Sequence, residues 1–198
     1  MIRNFSSLIV FLMIAVLTGC GFLTNSDVSL ISMTIQGNKT SLEISVPFEL
    51  RDDTVNGMQD MDAYLDKFIV KANENKDLMI TACCYVYNKE KIEAATGQPF
   101  ALSLEDGLLG GVANMQNVTK NVVTYSEVAD VTINNIHGKE ITGSVDVPFF
   151  GKTKTTKCDF RMMNFGEGVE MWTILIIHKP DDETQRISDA VFNSLKLS

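Results

Sequence analysis

The residues able to do chemistry are few: four cysteines, two histidines and scattered acids. Asp52-Asp53-Thr54-Val55-Asn56-Gly57 starts like a calcium loop, with oxygen-bearing side chains at the first, third and fifth places and Gly at the sixth. The twelfth place, where a bidentate Glu closes such a loop, is Ala63. Asp60 and Asp62 could lend oxygens to weak calcium binding, but a solvated acidic loop is the better reading. Zinc fares worse. His137 and His178 fall in different segments, there is no Cys-x-x-Cys, and Cys83-Cys84 would put two thiols on opposite faces of a strand. No Gly-x-Ser-x-Gly elbow occurs. Cys84 or Cys158 beside His178 is the cysteine–histidine pairing to look for in space. Gly107-Leu108-Leu109-Gly110-Gly111 lacks the Lys-Ser/Thr of a phosphate loop. Met58/Met61 and Met162/Met163 invite a copper(I) reading, yet core filling suits them better. Trp172 alternates with Ile174 and Ile176 and reads as core. No catalytic, cofactor-binding or metal-binding set is therefore assigned.

Cys20 is different, because its context specifies its chemistry. Arg3 gives a positive start, Leu8–Leu17 is an unbroken apolar run, and Thr18-Gly19 lead into Cys20. That is the layout of a secretory signal. A membrane span needs about 20 apolar residues, so this run is too short for one. Leu17-Thr18-Gly19-Cys20 resembles the lipobox of bacterial lipoprotein precursors. The resemblance implies cleavage between Gly19 and Cys20 and a diacylglycerol on the Cys20 thiol. Two or more acyl chains, at about 0.8 kcal/mol per buried methylene, would anchor the chain stably to a membrane. Residue 21 is Gly rather than Asp, which tilts a Gram-negative lipoprotein towards the periplasmic face of the outer membrane.

The expected layout is a signal peptide at 1–19, lipidated Cys20 with a linker to residue 30, and one domain over 31–198. The mature part, about 179 residues, is large enough for a real core. Its acidic balance, with formal net charge -8 for the whole chain, disfavours nucleic acid as a partner. Three cysteines remain beyond Cys20, an odd number in an oxidising compartment. One disulfide with one free thiol is allowed, and so are three buried thiols. Cys84 and Cys158 both point towards apolar surroundings, so Cys84–Cys158 is the pairing that parity allows.

The elements that would position these residues are mostly strands. Ser32–Gln36 and Ser41–Leu50 read as two strands around Gly37-Asn38-Lys39, with Leu42, Ile44, Val46 and Phe48 at period two. Arg51–Asp62 reads as a loop before a short strand, Lys67–Ala72, and Leu78–Tyr87 is rich in β-formers. Asn88–Pro99 is a loop or a short helix. Ser103 caps a helix with Glu105 and Asp106 in its first turn, in which the glycines mark a packing point or a break. From Val122 the chain reads as four strands, Val122–Ile136, Glu140–Val147, Lys154–Asn164 and Glu170–His178, with turns at His137-Gly138-Lys139, 148–152 and 166–168. Pro180-Asp181-Asp182-Glu183 opens a C-terminal helix buried along Ile187, Ala190, Val191, Ser194 and Leu195.

Strands, a helix, a meander and a closing helix make an α+β fold, an antiparallel sheet with helices packed on it. The strand Met171–His178, the turn Lys179-Pro180-Asp181-Asp182 and the helix ending Phe192-Asn193-Ser194-Leu195 are similar to the close of PsbP-like and DcrB-like proteins. The early Val46-Pro47-Phe48 strand agrees with that layout. The resemblance implies a central antiparallel sheet, binding roles rather than catalysis, and many lipoprotein relatives. It transfers no site.

The expectation is an extracytoplasmic, lipid-anchored binding or assembly module of the cell envelope, without cofactor. Its partners would be the membrane, through Cys20, and an envelope protein or small ligand. The alternatives are an envelope hydrolase, marked by His137 or His178 beside a cysteine or carboxylate in a pocket, and an immunity or exclusion lipoprotein.

Overall fold

Alternation of apolar and polar residues builds most of the structure. In the strand Ser41–Val46, Leu42, Ile44 and Val46 are buried while Glu43 faces solvent. The computed structural model describes residues 29–53, 62–148 and 155–198. Along the chain these form β1 (Ile31–Gln36), β2 (Ser41–Val46), β3 (Arg51–Asp52), a short 3-10 turn (Asp62–Tyr64), β4 (Leu65–Glu74) and β5 (Leu78–Tyr87). Helices α1 (Lys89–Thr96) and α2 (Leu104–Thr119) follow, then β6 (Thr124–Tyr125), β7 (Ala129–Ile133), β8 (Ile136–Val147), β9 (Thr156–Glu167) and β10 (Glu170–His178). Helix α3 (Asp182–Asn193) and β11 (Lys196–Leu197) close the chain.

Among the described residues there are two antiparallel sheets. The larger runs β3-β4-β5-β10-β9-β8-β6, with β7 also paired to β8, and the smaller runs β1-β2-β11. The expected α+β fold is therefore present. The long sheet has a core on each face. On one face Trp172, Ile174 and Ile176 of β10 meet Met163 and Phe165 of β9, the smaller sheet and Val191, Phe192 and Leu195. On the other, Phe160, Met162 and Cys158 of β9 meet Leu108, Val112 and Met115 of α2.

Local chemistry explains the helices. Ser103 accepts from the Asp106 amide at 3.1 Å and Asp181 from the Thr184 amide at 2.8 Å, each satisfying an amide that the helix itself cannot. The stretch at 88–99, read as loop or helix, is helical because Asn88 caps α1 and Gly97, at φ 68, ends it. In α2 Gly107 and Gly111 are packing points: a side chain at Gly107 would sit 2.6 Å from Asn164 Nδ2, and one at Gly111 would sit 2.9 Å from Met162 Sδ.

The meander differs from its sequence reading in two places. The turn lies at Asn134-Asn135, both with positive φ, and not at His137-Gly138-Lys139. Two left-handed residues match the twist of a two-residue hairpin, and Asn tolerates that region. Asn134 also donates to the carbonyls of Asn193 and Leu195, binding the turn to the end of α3. The stretch read as one strand over Val122–Ile136 is broken between β6 and β7. At the break the Ser126 hydroxyl, in place of a backbone carbonyl, accepts from the Thr142 amide at 3.2 Å.

Candidate functional site

Beyond the covering helix α3, the larger sheet leaves part of one face bare. There an open cleft of about 560 Å³ lies between Gln185 of α3 and Thr124, Tyr125 and Ser126 at the sheet edge. Its floor comes from three neighbouring strands: Thr142 and Ser144 of β8, Asp159 and Arg161 of β9, and His178 of β10. Strand register makes this set. Ser144 faces Asp159 and Asp159 faces His178 across the two ladders, and Thr142 faces Arg161 one step along. Residues two apart share a face, so along β9 the face that holds Met163 and Phe165 in the core becomes polar at Arg161 and Asp159.

Arg161 is held on three sides. Its guanidinium lies 4.2 Å from the centre of the Phe192 ring, Nε donates to Glu140 at 2.5 Å and Nη1 to Asp189 at 3.3 Å. Two carboxylates more than balance its charge, and stacking on a ring adds to the hold. Asp159 is half-buried and has no hydrogen bond or ion pair with any other described residue. His178 is 2 % exposed. Its Nδ1 lies 2.7 Å from the Lys179 carbonyl, which can only accept, so Nδ1 carries the proton. No described residue is bonded to its Nε2. Lys179 itself is tied to Asp77, and the Thr184 hydroxyl completes the setting of the ring.

A second polar cluster is built into the fold. Glu170, 4 % exposed, accepts from the Thr40 hydroxyl at 2.7 Å and from the amides of Asn38, Lys39 and Thr40. Burial raises its pKa, but those hydrogen bonds outweigh burial and hold the carboxyl below its ordinary range. Thr40 in turn accepts from the Trp172 indole at 2.9 Å. Both carboxylate oxygens are engaged internally, so this cluster fastens one sheet to the other.

The remaining sequence candidates fall as follows. Gly19, Cys20 and the linker as far as Val28 lie outside the described residues, as do Met58, Met61 and most of the calcium-like loop. Asp52 pairs with Lys71 at 2.7 Å. The Cys84–Cys158 pairing is corrected: both are free thiols. Cys84 belongs to the core beneath α3 and Cys158 to the core beneath α2, so the sheet itself separates them. Burial, with help from the Glu170 charge, pushes Cys84 up to about 12, and burial pushes Cys158 up to about 11. Neither thiol meets His178. Cys158 is on the other face, and Cys84, which faces Trp172, is six residues along β10, about 20 Å at the usual strand rise. His137 is exposed and bonded to Thr132 across its hairpin. Trp172, Met162 and Met163 are core. Of the histidines and cysteines singled out, the structure places His178 in the cleft. Sequence reading missed Ser144, Asp159 and Arg161, although polar residues interrupting an otherwise apolar strand face were a readable signal.

Among the described residues no helix is long and apolar enough to cross a membrane. No family model and no curated protein matches the chain. Among solved structures, the chain is similar to the cyanobacterial PsbP protein (CyanoP) of Synechocystis, with a TM-score of 0.52, 11% identity, and 90% of this chain covering 97% of that one. That likeness shows a PsbP-like fold. It also overlaps LpqN of Mycobacterium tuberculosis, described as involved in cell envelope biogenesis, with a TM-score of 0.44, 10% identity, and 85% of this chain covering 91% of that one.

Proposed function

We propose that this chain is an extracytoplasmic lipoprotein, held to a membrane through Cys20, that acts as a non-catalytic binding or assembly module of the cell envelope. The observation that carries the binding role is the cleft between α3 and β6, in which Asp159 and His178 Nε2 have no partner among the described residues. Polar side chains without a protein partner at the wall of a cleft are open to a ligand's polar groups. The anchoring half of the reading rests on the lipobox-like Leu17-Thr18-Gly19-Cys20.

His178 beside a carboxylate also fits the hydrolase alternative. The order across the sheet favours binding instead. Asp159 stands between Ser144 and His178, whereas activating a serine needs the imidazole next to the hydroxyl and the carboxylate behind it.

A photo-activatable residue at Tyr125, on the cleft rim, tests the reading in intact cells beside the same residue at Lys91 on α1. Adducts at Tyr125 that Lys91 does not form are expected. Equal capture at both positions would remove the support for the cleft.

A further inference from the structure

The cleft's charge and donor balance say what kind of group it takes, and this inference rests on the binding role proposed above. We infer that the cleft binds a ligand through a cationic N–H group, a primary ammonium or guanidinium, seated against Asp159 and His178 Nε2.

Three observations converge. First, two groups of the cleft have no partner among the described residues: the Asp159 carboxylate, which has no proton to give, and Nε2 of His178, and an imidazole that donates through Nδ1 to the Lys179 carbonyl accepts through Nε2. They are cross-strand neighbours, as the pairing of His178 with Asp159 fixes. Groups directly opposite on one sheet face stand about 5 Å apart at Cβ, so one ammonium could bridge them. Second, an anion is poorly served. Among the described residues that line the cleft, Arg161 is the cation, and Glu140 and Asp189 already occupy its guanidinium. With Asp159 added, three described carboxylates stand around this one guanidinium, and an anionic ligand would meet repulsion. Third, the rim carries the half-exposed ring of Tyr125 and the floor the hydroxyls of Thr142 and Ser144. A ring face attracts a cation, and hydroxyls accept its further protons. His178 is 2 % exposed and lines this space, so the fold fixes its ring at the cleft wall.

The same chemistry could come from a free amine or from a lysine or arginine of a bound chain. Isothermal titration and amide NMR on the detergent-solubilised full chain would use spermidine for the first source. N-acetyl-lysine methylamide and N-acetyl-arginine methylamide stand for the second, and maltose and inorganic phosphate serve as a neutral and an anionic control. The expected result is saturable binding of at least one cationic probe, with shifts centred on Ser144, Asp159 and His178. Asp159→Asn should weaken it by about tenfold or more, because a charge-assisted bond becomes a neutral one. Asp159 bonds no other described residue, so this variant should fold, and an unchanged melting temperature verifies that. His178→Gln should weaken binding further.

Binding of maltose or phosphate in place of the cations would overturn the inference, as would equal affinity of Asp159→Asn. If no cation binds while Tyr125 still cross-links in cells, the inference fails and the binding role stands. If both experiments are blank, the binding role falls with it.

Discussion

The Thr40 hydroxyl donates to Glu170 at 2.7 Å while accepting from the Trp172 indole at 2.9 Å, so one short side chain joins the smaller sheet to the larger. Glu170 is buried and ionised at once, a state made tolerable by four donors aimed at it from the β1–β2 turn.

Glu170→Gln keeps the shape and removes the charge. It should cost about 2 to 3 kcal/mol, the range for hydrogen bonds to charged groups. The folded carboxyl titrates below its ordinary value of 4.5. Its contribution is thus complete above that value and is lost as pH falls through the folded one. Urea titrations should show the two proteins differing most near neutrality and converging on acidification. A gap that widens towards low pH would contradict this.

Two glycines of α2 should respond with opposite sign. At Gly107 a new methyl would meet Asn164 Nδ2 at 2.6 Å, and Asn164 cannot swing away because it is bonded to the Leu104 carbonyl and the Thr173 hydroxyl. Gly107→Ala should cost about 1 to 3 kcal/mol. Gly110 has open space around it, so Gly110→Ala should gain up to about 1 kcal/mol from helix propensity. Thermal melts of the two variants decide it.

The thiols of Cys83, Cys84 and Cys158 should be silent in the folded protein. Burial pushes them up to about 12, 12 and 11, so raising pH from 7 to 9 barely populates a thiolate. In the Cys20→Ser protein, a maleimide should label three cysteines in denaturant and label the native form no faster than it unfolds. Recovery of a single reactive thiol in denaturant without reductant would signal a disulfide.

Cys20→Ser should abolish incorporation of radiolabelled palmitate and leave the precursor uncleaved by the lipoprotein peptidase. Equal label in both forms would exclude lipidation at Cys20.

Much of the fold was legible. Ser103 and Asp181 announce helices because an amide at each helix start needs an oxygen, and that demand is met within three residues. Strands such as Ser41–Val46 show themselves because side-chain direction alternates residue by residue. The meander turn was misplaced because Gly138 looks like a turn residue. Its real reason is contact: a Cβ there would lie 2.5 Å from the Asn164 carbonyl.

The sequence by itself determined whatever depends on residues near one another in the chain: the α+β class, the helix starts, and the lipobox-like context of Cys20 on which the proposed lipidation rests. Tertiary structure alone decided which distant residues meet. Alternation says that Cys84 and Cys158 each face something apolar, but a sheet has two faces, and only strand register puts them on opposite ones. Register likewise brings Ser144, Asp159 and His178 into one row. Alternation sorts side chains into two faces within a strand, and pairing between strands, which packing of both cores selects, chooses their neighbours.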